Sequence, residues 1–207
     1  MSKIFCLETE WKQNVHDLKD KSKALAILEF LERSQNTNYV FRNVATLADF
    51  VYYINHLNYS TYNSFSIIYL CFHGKESTIS FANNEKIDLI EFAENNQGIF
   101  EGRNVHFGSC STLKISKEDI NYFKKKTGAR MVTGYETSVE IIRSFVFELW
   151  LLNELCEHPN YSGTRIFELA QNRMPYYTKK FKFNNISATQ KKIYLRCFNK
   201  NKYNYYY

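Results

Sequence analysis

Apolar residues along the chain come in short runs that alternate with stretches whose apolar positions recur every three or four residues. The runs read as strands, and the three-to-four spacing reads as helices with one buried face. Alternation of this kind predicts an α/β fold, with a mostly parallel central sheet flanked by helices. Lys3 to Leu7 opens as a strand, and Ala24, Leu25, Ile27, Leu28 and Leu31 then mark one face of a helix. Asn38 to Val44 is a second strand, followed by a helix with Leu47, Phe50, Val51 and Ile54 on one side. Ser66 to Phe72, SIIYLCF, is apolar almost without interruption, as in a strand covered on both faces, and so takes a central place.

A strand-like piece, STISF, a turn at Asn83-Asn84 and a helix around Leu89 to Ala93 lead to a fourth strand, Asn104 to Phe107. Lys117 to Lys126 reads as a helix with Gly128 placed as its C-terminal cap, and Ala129 to Gly134 as the fifth strand. Ser138 begins a long core helix, Gly163 to Asn172 forms another, and Lys192 to Phe198 is a last strand at the sheet edge. Within the apolar stretch Val139 to Cys156, Glu140, Arg143 and Glu148 recur at roughly helical spacing on one stripe, with Glu154 beyond. That marks a core helix and excludes a membrane span.

Composition narrows the picture. The chain has 207 residues, 44% of them apolar and 17% aromatic, with only 7 Gly and 2 Pro. It therefore suits one domain without long linkers, spanning residues 1–198, with a polar and aromatic tail at 199–207. Glu8 and Glu10 interrupt any secretory signal, and no transit-type segment replaces it, so the expected location is the cytoplasm. The five cysteines are odd in number, and neither a CxxC nor an HxxxH pair occurs, so reduced thiols are expected and a zinc site has no support. No cofactor is expected.

Charge is uneven. The chain carries net +6, yet from Leu169 onward there are 9 Lys/Arg and no Asp/Glu, which leaves 18 basic against 21 acidic residues in the remainder. The basic end reads either as a solvated surface or as a site for nucleic acid or an acidic partner. Its tyrosines, interleaved with Lys and Asn, fit single-stranded nucleic acid in the second case.

Candidate chemistry comes from topology. In parallel α/β sheets, functional groups gather at the carboxyl ends of the strands. Here the third strand ends in Phe72-His73-Gly74 and the fourth in Gly108-Ser109-Cys110-Ser111-Thr112. If those strands are neighbours, about 5 Å apart, an imidazole and a thiol stand side by side. A histidine near a cysteine makes the thiol reactive by taking or balancing its proton. The N–H of Gly74 and the N–H of Cys110 are natural donors to an oxyanion. His106, within the fourth strand, reads as structural, and Cys71 as core. His16, His56 and His158 read as ordinary surface or packed residues.

The segments IIYLCFHG, VHFGSCSTL and TGARMVTGYETSVEIIRSFVFELWLLNEL resemble the three core blocks of the caspase-like superfamily of cysteine peptidases, and especially its bacterial CHAT-type members. The match spans Ser66 to about Leu155, and order and spacing together carry it. The resemblance implies a three-layer sandwich, His73 as general base, Cys110 as nucleophile and hydrolysis of a peptide bond through an acyl-enzyme. The long insertions and processing sites of animal caspases are missing, so self-processing is not expected.

By the same resemblance, the pocket for the residue before the cleaved bond is lined from the end of the first strand and the segment after the fifth. Those positions hold Glu8, with Glu10 close by, and Tyr135-Glu136, so an acidic pocket and cleavage after Arg or Lys are expected. Arg143 brings the opposite preference if it points into the site. The expected partners are a protein or peptide substrate and an activating partner or signal molecule, with no membrane. The resemblance also implies a role in bacterial defence. The competing expectation is a non-catalytic binding module of the same fold, using its basic aromatic end for nucleic acid or a partner protein.

Overall fold

The computed structural model describes residues 2–11, 21–175 and 181–184. Six strands form one sheet in the order β2-β1-β3-β7-β8-β9. These are β1 (Ile4–Thr9), β2 (Tyr39–Val44), β3 (Ile67–Cys71), β7 (Asn104–Phe107), β8 (Met131–Tyr135) and β9 (Phe181–Asn184). The first five run parallel, with Ile4 in register with both Tyr39 and Ile67, and β9 is antiparallel to β8. Every residue of β1, β3, β7 and β8 is buried, and β3 is accordingly apolar almost throughout, whereas β1 and β7 also bury Glu8, Thr9, Asn104 and His106.

Helices cover both faces, giving the three-layer α/β sandwich. On one side α2 (Leu47–Ile54), α3 (Leu89–Asn95) and α4 (Lys117–Thr127) pack Phe50, Ile54, Phe92 and Phe123 on Phe5, Leu70 and Phe107 of the sheet. On the other, α1 (Lys23–Gln35), α5 (Ile141–Glu157) and α6 (Gly163–Arg173) pack Ile27, Leu31, Phe147, Leu151 and Ile166 on Ile4, Ile67 and Met131. Local signals set the boundaries. Ser22, Ser116 and Ser162 cap α1, α4 and α6 through their hydroxyls, and Thr46 with Asp49 forms a capping box on α2. Gly128 ends α4 at φ 76°, a left-handed position that glycine takes without strain.

Several expectations change. The first strand runs on through Glu8 to Thr9, so Glu8 lies inside the strand and not beyond it. His73 and Gly74 do not end the third strand; they begin β4 (His73–Lys75) of a separate three-stranded antiparallel sheet with β5 (Thr78–Ser80) and β6 (Lys86–Asp88). Val51 of α2 is exposed, while Tyr53 packs partly against the core instead. Of the charged stripe on α5, Arg143 and the preceding Glu140 are exposed while Glu148 is buried, as is Glu154 beyond it. The helix itself begins three residues later than expected, at Ile141. The strand expected at Lys192 to Phe198 and the tail at 199–207 lie outside the described residues. Among the described residues, no helix is long and apolar enough to cross a membrane.

Candidate functional site

β3 and β7 are neighbours, with Leu70 in register with Phe107 and the Gly108 N–H donating to the Leu70 carbonyl at 2.8 Å. Just past their ends the two chains lock together. The Phe72 N–H donates to Ser109 Oγ at 3.0 Å, and both residues are buried. Gly74 presses against the next residue: a Cβ there would overlap the Cys110 carbonyl oxygen and the Thr112 hydroxyl, and would stand 2.9 Å from Ser109 Cβ. A glycine is required at 74 by this approach, not by its φ. His73 and Cys110 thus flank a single backbone contact, with His73 exposed and Cys110 half-buried.

The Cys110 loop is fixed on its other sides as well. The Val139 N–H donates to Cys110 Sγ at 3.5 Å, just ahead of α5. The N–H groups of Ser111 and Leu113 donate to the carbonyls of Thr137 and Tyr135 at 3.2 and 3.0 Å. The Thr112 hydroxyl donates to the Thr78 carbonyl at 3.3 Å, tying the loop to β5. Ser111 holds φ 55°, a left-handed position uncommon for a residue with a side chain. The loop is therefore gripped by both the small sheet and the segment between β8 and α5. The exposed Lys114 and Glu76 pair across the same gap.

Glu8 is not where the acidic pocket needs it. It is fully buried, and it accepts bonds from the N–H groups of Lys23 and Ala24 at 3.1 and 3.2 Å, from the Ser22 hydroxyl, and from the Trp11 indole N–H at 2.7 Å. The physical reason is the start of α1, whose unpaired N–H groups and positive dipole end attract a carboxylate. Burial pushes the Glu8 carboxyl above its ordinary value against the pull of these donors. Tyr135 is also withdrawn: it is buried, and its hydroxyl donates to Glu148 Oε1 at 2.9 Å. Glu136 alone of the three keeps partial exposure, and Arg143 is exposed and paired with Glu140 at 3.0 Å.

Beneath the site lies a buried polar group that periodicity did not reveal. Lys23 of α1 meets Glu148 of α5 at 2.9 Å, and Tyr69 donates its hydroxyl to the same carboxylate. The Lys23 ammonium also reaches Ser144 Oγ at 3.2 Å. His106 stacks on Tyr69 with ring centroids 5.5 Å apart, and its Nδ1 lies 3.0 Å from Thr133 Oγ1. Burial drives its pKa down from 6.5 to about 4, so the ring is neutral and structural. Burial likewise pushes the Cys6 and Cys71 thiols up, which leaves them inert core residues. Trp11 is the residue that sequence reasoning missed. Its ring meets that of His73 edge-on, 4.7 Å between centroids at 80°.

Fold and site together define a three-layer α/β sandwich with a histidine and a cysteine at the carboxyl edge of its parallel strands. The chain belongs to the Family of unknown function (DUF6642), whose model matches residues 1–179. No curated protein matches it.

Proposed function

We propose that the protein is a cysteine endopeptidase of the caspase-like type, with His73 as general base and Cys110 as nucleophile. The observation that carries this reading is the interlock of the two loops, Phe72 N–H on Ser109 Oγ and Gly74 against the Cys110 carbonyl. It holds the backbone of both residues at one edge of the sheet. In the reaction, Cys110 Sγ gives its proton to His73 and bonds to the substrate carbonyl carbon. The N–H groups of Gly74 and Cys110 receive the oxyanion. The C–N bond then breaks, the amine leaves with the proton from the imidazolium, and water hydrolyses the thioester.

A basic residue before the cleaved bond remains the preferred substrate, with Glu136 as the acid that meets it, since Glu8 is committed to α1. The reading includes residence in the cytoplasm, supported by four free cysteines among the described residues, and control by a partner or signal molecule, because an unrestrained peptidase harms its own cell. A part in bacterial defence rests on the resemblance alone.

The test is labelling by peptidyl electrophiles ending in Arg, Lys or Asp. Covalent mass on Cys110, strongest with Arg or Lys and lost in His73→Ala, is the expected result. A folded protein whose Cys110 reacts no faster than a free thiol with any of them would sink the proposal, and salt-sensitive binding of nucleic acid would then favour the binding module.

A further inference from the structure

We infer that Trp11 is a positioning residue for His73 and that Glu8 is its anchor; this rests on the His73–Cys110 reading above. Trp11 stands two residues past the end of β1, half-buried. One side of its ring is tied down by the 2.7 Å bond from the indole N–H to Glu8. Glu8 in turn is locked by three donors at the start of α1, so it is a fixed point of the fold. The same indole meets the His73 ring edge-on. The line therefore runs from a helix start, through a buried carboxylate and a large flat ring, to the imidazole.

His73 is exposed and opens a strand of three residues, so its backbone is held but its side-chain torsions are not fixed by burial. A ring packed against the imidazole narrows the set of conformers that the His73 side chain adopts. Glu8 then has a use although it is out of reach of any substrate: it sets the indole, and the indole sets the histidine. The other titratable groups on the surrounding segments are Glu10 beside Trp11, Cys110 on the loop after β7, Lys75 and Glu76 of the small sheet and its turn, Lys114 paired with Glu76, and Glu136 after β8.

The full chain has two tryptophans, so a Trp150→Phe background leaves Trp11 as the one indole. Its fluorescence, followed through the range from about pH 5 to about pH 8 where histidine titrates, is expected to show a quenching step from the His73 imidazolium. The step should vanish in His73→Ala and persist in Glu8→Gln, whose amide oxygen still accepts the indole N–H. Alkylation of Cys110 by iodoacetamide, read by peptide mass on folded protein, should slow roughly tenfold in Trp11→Ala and less in Trp11→Phe, which keeps a ring. A fluorescence step unchanged by His73→Ala, or Trp11→Ala with the wild-type rate and pH profile while His73→Ala is slow, overturns the inference. Wild-type alkylation in His73→Ala instead overturns the dyad reading itself.

Discussion

The two faces of the sheet are built on different principles. The face under α2, α3 and α4 is an apolar pack rich in phenylalanine, in which Phe50 meets Phe72, Phe81 and Phe92 at 5.5 to 5.6 Å between ring centroids. The face under α1, α5 and α6 buries Glu8, Glu148, His106 and two tyrosine hydroxyls, with the partly buried Lys23 paired to Glu148. The first face gains mainly from apolar area, its one charged intruder among the described residues being Arg103, whose guanidinium donates to the carbonyls of Leu57, Phe65 and Ile99. The second gains only if every partner is present, because a lone buried charge costs more than its pair contributes. Trp11 is anchored from the second face, through Glu8, whereas the Cys110 loop is gripped from both, by Phe72 and the small sheet on the first and by the segment ahead of α5 on the second.

Isosteric substitutions test this difference most sharply. Glu148→Gln keeps volume but strips the counter-charge from Lys23, and should destabilise the protein by about 3–5 kcal/mol in denaturant unfolding. Ile54→Leu on the aromatic face should cost under about 1.5 kcal/mol. The double variant Lys23→Met/Glu148→Gln should recover part of the loss, by about 0.5–3 kcal/mol. Equal costs on the two faces would erase the distinction.

Acid gives the next largest effect. The pKa of His106 falls from 6.5 to about 4 on folding, so between those values the unfolded chain binds the extra proton. Its contribution is complete above 6.5 and is lost as pH falls towards 4, a difference of about 3 kcal/mol. Glu8 has the opposite sign: its raised folded value favours the native state at low pH, and that contribution fades as pH rises through it. Melting curves of wild type against His106→Gln isolate the first contribution. The variant should show a shallower loss in acid, and parallel curves would refute the assignment.

The smallest effect is local. Gly74→Ala drives a methyl into Ser109 and Cys110 and should cost about 1–3 kcal/mol. Cys110 labelling should fall more than global stability does. Unchanged labelling would mean that the interlock is not what positions the thiol.

Much of the fold was readable because its elements announce themselves locally. β3 is a run of five buried residues, and Gly128 caps α4 at a left-handed φ, as the spacing required. What could not be read is non-local. Glu148 sits at a spacing that suits a wetted stripe, and its burial depends on Lys23, 125 positions away. Glu8 looked like a strand-end acid because nothing nearby in sequence says that the start of α1 will close over it. β4 and β6 escaped notice because three-residue strands with exposed ends carry too few apolar positions to show a period of two. The His73 and Cys110 loops were brought to one edge by the strand-end rule, while Trp11 carried no signal except its place beside Glu8.

The register of β1 has a consequence in time. β1 precedes both of its neighbours along the chain: β2 starts at Tyr39, but β3 starts only at Ile67. At roughly 5–20 residues per second, the open edge of β1 waits several seconds for its second partner. During that interval an apolar strand with unpaired N–H and carbonyl groups is exposed to the cell, and the nascent chain depends on its neighbours' patience before it depends on its own core.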